Sequence, residues 1–146
     1  WALYGYTMMY RETGREEFLD AAENIGDMII GRLPEDGIPY WDFDDPSIPE
    51  TFRDASAGAI MASAFIELST LTDDGTRSEY YLDTARRQLL TLGSEEYLAT
   101  PGSNAGFILK HSVGNIPGGT EIDVALSYAD YYFLEALVRY SDLSDR

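Results

Sequence analysis

Five stretches of this chain read as helices, and they alternate between two kinds. Residues 1–12 (Trp1, Leu3, Tyr4, Tyr6, Met8, Met9, Tyr10), residues 54–71 (Ile60, Met61, Phe65, Ile66, Leu68 among Ala, Gly and Ser) and residues 123–140 are apolar on every side. Residues 15–33 carry one apolar stripe through Phe18, Ala22, Ile25, Ile29 and Leu33. Residues 77–92 do the same through Tyr81, Ala85, Leu89 and Leu92. A helix apolar all round needs neighbours on all sides, whereas a one-striped helix lies on the outside. Alternating the two builds an inner ring sheathed by an outer ring, where an up-down bundle would stripe every helix. The expected fold is therefore all-α, a double-layered α/α toroid or part of one.

An internal echo supports a repeating unit, since Glu16–Ala22 (EEFLDAA) resembles Glu79–Ala85 (EYYLDTA). Each unit would be an inner helix, a short turn (Thr13-Gly14 or Asp73-Asp74-Gly75), an outer helix and a long return segment. The return segments, roughly 34–53 and 93–122, fall at the same end of the inner helices. Long irregular loops in a compact domain are usually functional, so a site is expected at that end. Three all-round apolar helices cannot cover one another completely, and an apolar edge should remain. The chain begins on Trp1 without Met, and a fragment of a longer protein is expected. A cytoplasmic setting is expected, with a periplasmic or secreted one left open because a leader would lie upstream.

Charge narrows the partners. The formal net charge is −16, with 26 acidic residues against 10 basic ones, and Lys110 is the only lysine. Such a surface repels nucleic acid and anionic membranes, so neither is expected as a partner. It serves either as a solvated acidic coat or as an adaptation to high salt, where the Debye length shortens to ~3 Å at 1 M. No apolar run approaches the ~20 residues of a membrane span. With no cysteine in the chain, disulfides and thiolate metal sites are excluded.

Several residues are candidates for chemistry. Arg53-Asp54 precedes the small-residue helix; Asp54 can cap it, and Arg53 either pairs locally or faces the site to meet an anionic sugar. Asp42, Asp44 and Asp45 match no EF-hand spacing and read as solvated turn carboxylates, and no metal site is expected. His111 is the only histidine and opens a glycine-bearing loop, 111–120. A lone histidine is more often structural than a base, and no nucleophile triad accompanies it. Tyr128 and Trp1 each stand at the start of an inner helix, where aromatic rings suit stacking on sugar faces. Asp130 and Glu135 interrupt an apolar run and need partners or a wet cavity.

Taken together, Gly37-Ile38-Pro39-Tyr40-Trp41-Asp42-Phe43, Arg53-Asp54-Ala55-Ser56-Ala57 and the run from His111 through Tyr128-Ala129-Asp130-Tyr131-Tyr132-Phe133-Leu134-Glu135-Ala136-Leu137 resemble glycoside hydrolase family 88, the unsaturated glucuronyl hydrolases. The resemblance implies that residues 1–146 are the C-terminal portion of a single (α/α)6-barrel catalytic domain. It implies a substrate oligosaccharide ending in an unsaturated uronic acid, hydrated at its C4=C5 double bond after protonation by an aspartic acid. It implies no metal and no organic cofactor. The family's catalytic aspartates lie before the residues matching Trp1, so no catalytic residue is assigned here and the chain alone should be inactive. Trp1 resembles the last residue of the family's Arg-Gly-Gln-Ala-Trp motif.

The substrate-binding candidates are thus Trp1, Arg53, His111 and Tyr128. Where relatives acting on sulfated fragments carry Ser-x-x-Ser-x-Lys, this chain has Asn115, Gly118 and Thr120. The missing lysine implies a preference for unsulfated or differently decorated uronides. Two alternatives remain: a related unsaturated rhamnogalacturonyl hydrolase, or a non-catalytic helical-repeat module that binds a partner.

Overall fold

The computed structural model describes residues 1–144. Its helices are α1 (Ala2–Thr13), α2 (Glu16–Ile30), α3 (Ala55–Ser69), α4 (Gly75–Leu92) and α5 (Ser127–Ser144). No strand forms among the described residues, only antiparallel pairings of single residues in the long loops. No described helix is long and apolar enough to cross a membrane.

Helix α3 is the centre of the molecule. It packs against all four other helices, and Ala59, Ala62, Ala64, Phe65 and Leu68 are fully enclosed. Its small residues let neighbours come close: a Cβ at Gly58 would stand 3.0 Å from Ile38 Cδ1, itself fully buried. The striped helices lie outside, as their pattern requires. α4 turns Tyr81, Ala85, Leu89 and Leu92 inward and leaves Leu90 exposed. The Tyr81 ring stacks on Phe65 with centroids 5.8 Å apart, and its hydroxyl donates to Asp27 on α2 at 2.8 Å. Burying each such side chain stabilises the fold by ~1.5–3 kcal/mol.

Helices α1 and α5 flank α3 and reach across the inside to each other. Tyr4 and Tyr132 meet edge to face at 5.1 Å, and the Tyr4 hydroxyl donates to Glu135 at 3.1 Å. Their remaining apolar faces, with Tyr6, Met8 and Met9 on α1 and Tyr131, Leu134 and Val138 on α5, stay exposed. That is the apolar edge an incomplete ring of all-round apolar helices must show.

Both acidic residues in the α5 run have partners. Asp130 accepts the Ile108 and Leu109 N–H groups at 2.8 and 2.9 Å. Glu135 accepts hydroxyls from Tyr4 and Ser63 and lies 3.7 Å from Arg139. Near the C-terminal ends of the inner helices, Arg11 and Arg139 both pair with Glu67.

Helix starts follow their caps. Asp74 accepts the Thr76 and Arg77 N–H groups and sets the start of α4. α5 begins at Ser127, not at 123, because Val124 exchanges two 2.9 Å backbone hydrogen bonds with Ser112. Pairing with the distant loop holds Val124 out of the helix, and the helix starts after it.

Candidate functional site

The N-terminal ends of all three inner helices converge on one cleft. Trp1, Asp54 and Tyr128 line it together with Ser56, Ala57, Ile60, Met61, Val113 and Gly114, around about 170 Å³. Residues preceding or opening three successive inner helices can share one hollow only if those helices run side by side from the same end. The ion pairs of Arg11, Glu67 and Arg139 close the other end.

Two long loops build the floor at the start of α3. Asp54 donates its N–H to the Pro39 carbonyl at 2.9 Å, and Ala55 donates to the His111 carbonyl at 3.0 Å. Asp54 Oδ1 accepts the Ser56 N–H at 2.9 Å, the Ser56 hydroxyl at 2.7 Å and the Val113 N–H at 3.1 Å. One carboxylate thus caps the helix and ties down the loop that follows His111. Burial pushes the Asp54 carboxyl above its ordinary value, while these hydrogen bonds pull the other way. Burial also raises the Tyr128 hydroxyl, with hydrogen bonding to Ser56 opposing it.

Trp1 and Tyr128 are the two aromatic stacking candidates at this end. Their ring centroids lie 6.0 Å apart at an angle of 52°, and Tyr132 meets Trp1 edge on at 5.3 Å. At contact distance the rings form one continuous aromatic wall with no gap between them for a ligand. Trp1 is 67% exposed and offers that wall an open face.

Arg53 does not line the hollow shared by Trp1 and Tyr128. Its guanidinium donates to the Ile38 carbonyl at 2.6 Å, pairs with Asp36 and lies over the Tyr40 ring at 4.5 Å. The local ion pair is realised, with a partner in the return loop. Arg53 and His111 share a neighbouring hollow of about 210 Å³ with Phe52, Glu96, Tyr97 and Asp123. There His111 Nδ1 is hydrogen-bonded to Asp123 at 2.6 Å, and its ring meets Tyr97 edge on.

Asn115, Gly118 and Thr120 form a tight turn beyond Gly114 at the cleft rim. Thr120 donates its N–H to the Asn115 carbonyl at 3.1 Å, and Asn115 Oδ1 accepts the Gly118 N–H at 3.0 Å. A Cβ at Gly118 would fall 2.8 Å from Asn115 Cγ, so a side chain there must displace Asn115.

The acidic loop is internally satisfied. Asp45 accepts from Trp41 Nε1, the Thr51 hydroxyl and the Ser47 N–H, Asp42 from the Asp44 N–H, and Asp44 pairs with Arg32. No cluster of metal-ligating side chains occurs among the described residues.

The sequence reading missed the cleft role of Asp54 and Ser56. It also missed the strain beside them: His111, Glu121 and Asp123 all have φ between 53° and 61°. Left-handed backbone at three non-glycine positions costs ~1 kcal/mol or more each and tends to gather at functional sites. Residue types that tolerate this conformation gave no local signal.

No protein-family model matches the chain. An unsaturated glucuronyl hydrolase of Formosa agariphila is 50% identical over 145 residues, 98% of this chain and 35% of that protein. One from Bacillus sp. is 33% identical over 140 residues, 95% of this chain and 37% of that protein.

The chain belongs to the unsaturated glucuronyl hydrolases, glycoside hydrolase family 88.

A crystal structure of an unsaturated glucuronyl hydrolase specific for heparin superimposes with a TM-score of 0.96 at 48% identity, over 100% of this chain and 39% of the other. The five helices are accordingly part of the (α/α)6 barrel of that family. The chain spans little more than a third of the length of these relatives.

Proposed function

We propose that this chain is the C-terminal portion of the catalytic domain of a glycoside hydrolase acting on oligosaccharides that end in an unsaturated uronic acid. The observation that carries the reading is the convergence of Trp1, Tyr128 and three inner-helix N-termini on one cleft, in a chain 50% identical to an unsaturated glucuronyl hydrolase. A partner-binding repeat module has no need for an aromatic-walled cleft held by two long loops.

The reaction protonates C4 of the C4=C5 double bond and adds water at C5. The hemiketal formed at C5 then opens and releases the neighbouring sugar. In this reading the chain supplies the stacking wall, the floor at Asp54 and the rim loop, and the acid that delivers the proton lies outside it. No cofactor takes part.

Loss of the double bond's ultraviolet absorbance, followed with defined unsaturated disaccharides, tests the proposal. The full-length enzyme should consume glucuronyl substrates and the isolated chain should not. Turnover confined to rhamnogalacturonan fragments would move the assignment to the related hydrolases, and none with any uronide would remove it.

The rim loop bears on sulfation. With Thr120 where a lysine would meet a sulfate, and Asn115 filling the space beside Gly118, the loop offers no cation to that group. An unsulfated substrate is the first reading. A heparin-type pattern, read by other groups, is the second, favoured by the structural relative specific for heparin. Thr120→Lys should raise turnover of sulfated relative to unsulfated chondroitin-type disaccharides. Wild-type enzyme already faster on the sulfated form would contradict the reading.

A further inference from the structure

Asp54 is nine-tenths buried, and all its hydrogen bonds from Ser56 and Val113 end on a single oxygen. Oδ2 receives none of them, although Asp54 lines the cleft. The Ala57 N–H also hydrogen-bonds to this carboxylate, and because an ionised carboxylate has about four acceptor positions, capacity remains on the side that lines the cleft. The donors on Oδ1 come from the first turn of α3 and from the loop after His111, so the carboxylate is held from two sides. Ser56, whose hydroxyl donates to Oδ1, lines the same cleft as Tyr128. The aromatic wall and the carboxylate thus face one hollow. A ring stacked on Trp1 and Tyr128 would present its hydroxyls to the floor that Asp54 occupies.

We propose that Asp54 is a specificity-determining residue of this cleft, its Oδ2 accepting a free hydroxyl of the uronate ring and rejecting the same position when it is O-sulfated. The inference rests on the hydrolase reading above. A hydroxyl brings a proton to the carboxylate, whereas a sulfate ester brings a second anion and no proton. Like charges forced together across a desolvated contact suppress the wrong ligand more effectively than a weak attraction selects the right one. Ser56 acts as a positioning residue, holding the carboxylate through Oδ1.

The test compares kcat/KM of the full-length enzyme on two unsaturated disaccharides that differ only in a free or O-sulfated hydroxyl on the uronate ring. Wild type should favour the free form, and Asp54→Asn should narrow that ratio about tenfold or more. Asparagine keeps the cap acceptor but not the charge. Asp54→Ser, which also caps helices well, should narrow the ratio similarly and stands in if the first variant folds poorly. A purely structural role would lower activity on both substrates alike and leave their ratio fixed. An unchanged ratio in a folded, active variant overturns the inference while leaving the hydrolase reading intact. A wild-type enzyme inert toward every unsaturated uronide would remove that reading and this inference with it.

Discussion

Trp1 lines the cleft and packs its ring on Tyr128 and Tyr132. Trp1→Ala in the full-length enzyme should lower kcat/KM about tenfold, equivalent to ~1.4 kcal/mol, and an unchanged kcat/KM would remove Trp1 from the site. Asp54 makes the opposite kind of contribution. Its carboxyl is pushed above its ordinary value of 3.8 by burial, so the folded chain holds that proton to higher pH than the unfolded chain. Its contribution to stability is greatest below 3.8 and falls as pH rises through the folded-state value. Urea melts from acid to neutral pH should show Asp54→Asn losing this fall, and a steeper fall in the variant would contradict it. Arg53 is bound by Asp36 and the Ile38 carbonyl. Arg53→Ala should therefore cost about 1–3 kcal/mol in chemical denaturation, whereas unchanged stability with lost substrate affinity would return it to the site.

At the scale of elements, α3 is where the fold is least forgiving. Gly58 meets Ile38, which cannot swing away because it is fully buried. Gly58→Val should cost ~1–3 kcal/mol through overpacking, read by thermal melting, and Gly58→Ala should cost less. The inner and outer helices were legible in the sequence because burial on all sides leaves no room for a polar face. Trp1 and Tyr128 were legible because each stands at the start of such a helix. The start of α5 was not, because Val124 is held by Ser112, a loop residue that no local helical pattern includes. Arg53 was ambiguous for the same reason, its partner Asp36 lying on the far side of the return loop. Asp54 looked like an ordinary helix cap, and only the approach of Val113 and Tyr128 gives it a second role.

At the scale of the whole molecule, a net charge of −16 opposes an anionic sugar approaching an acidic surface. Screening shortens from ~8 Å at physiological ionic strength to ~3 Å at 1 M salt. KM for an unsaturated uronide should therefore fall as salt rises, and a KM that climbs steadily would show that pocket cations dominate instead. In the proposed function, the sugar enters where the three inner helices begin. Its most direct test is a structure of the full-length enzyme with an unsaturated uronide disaccharide bound. The sugar ring should lie against Trp1 and Tyr128 with a hydroxyl within hydrogen-bond reach of Asp54. A sugar seated instead at the opposite end, beside Glu67 and Arg139, would contradict the account.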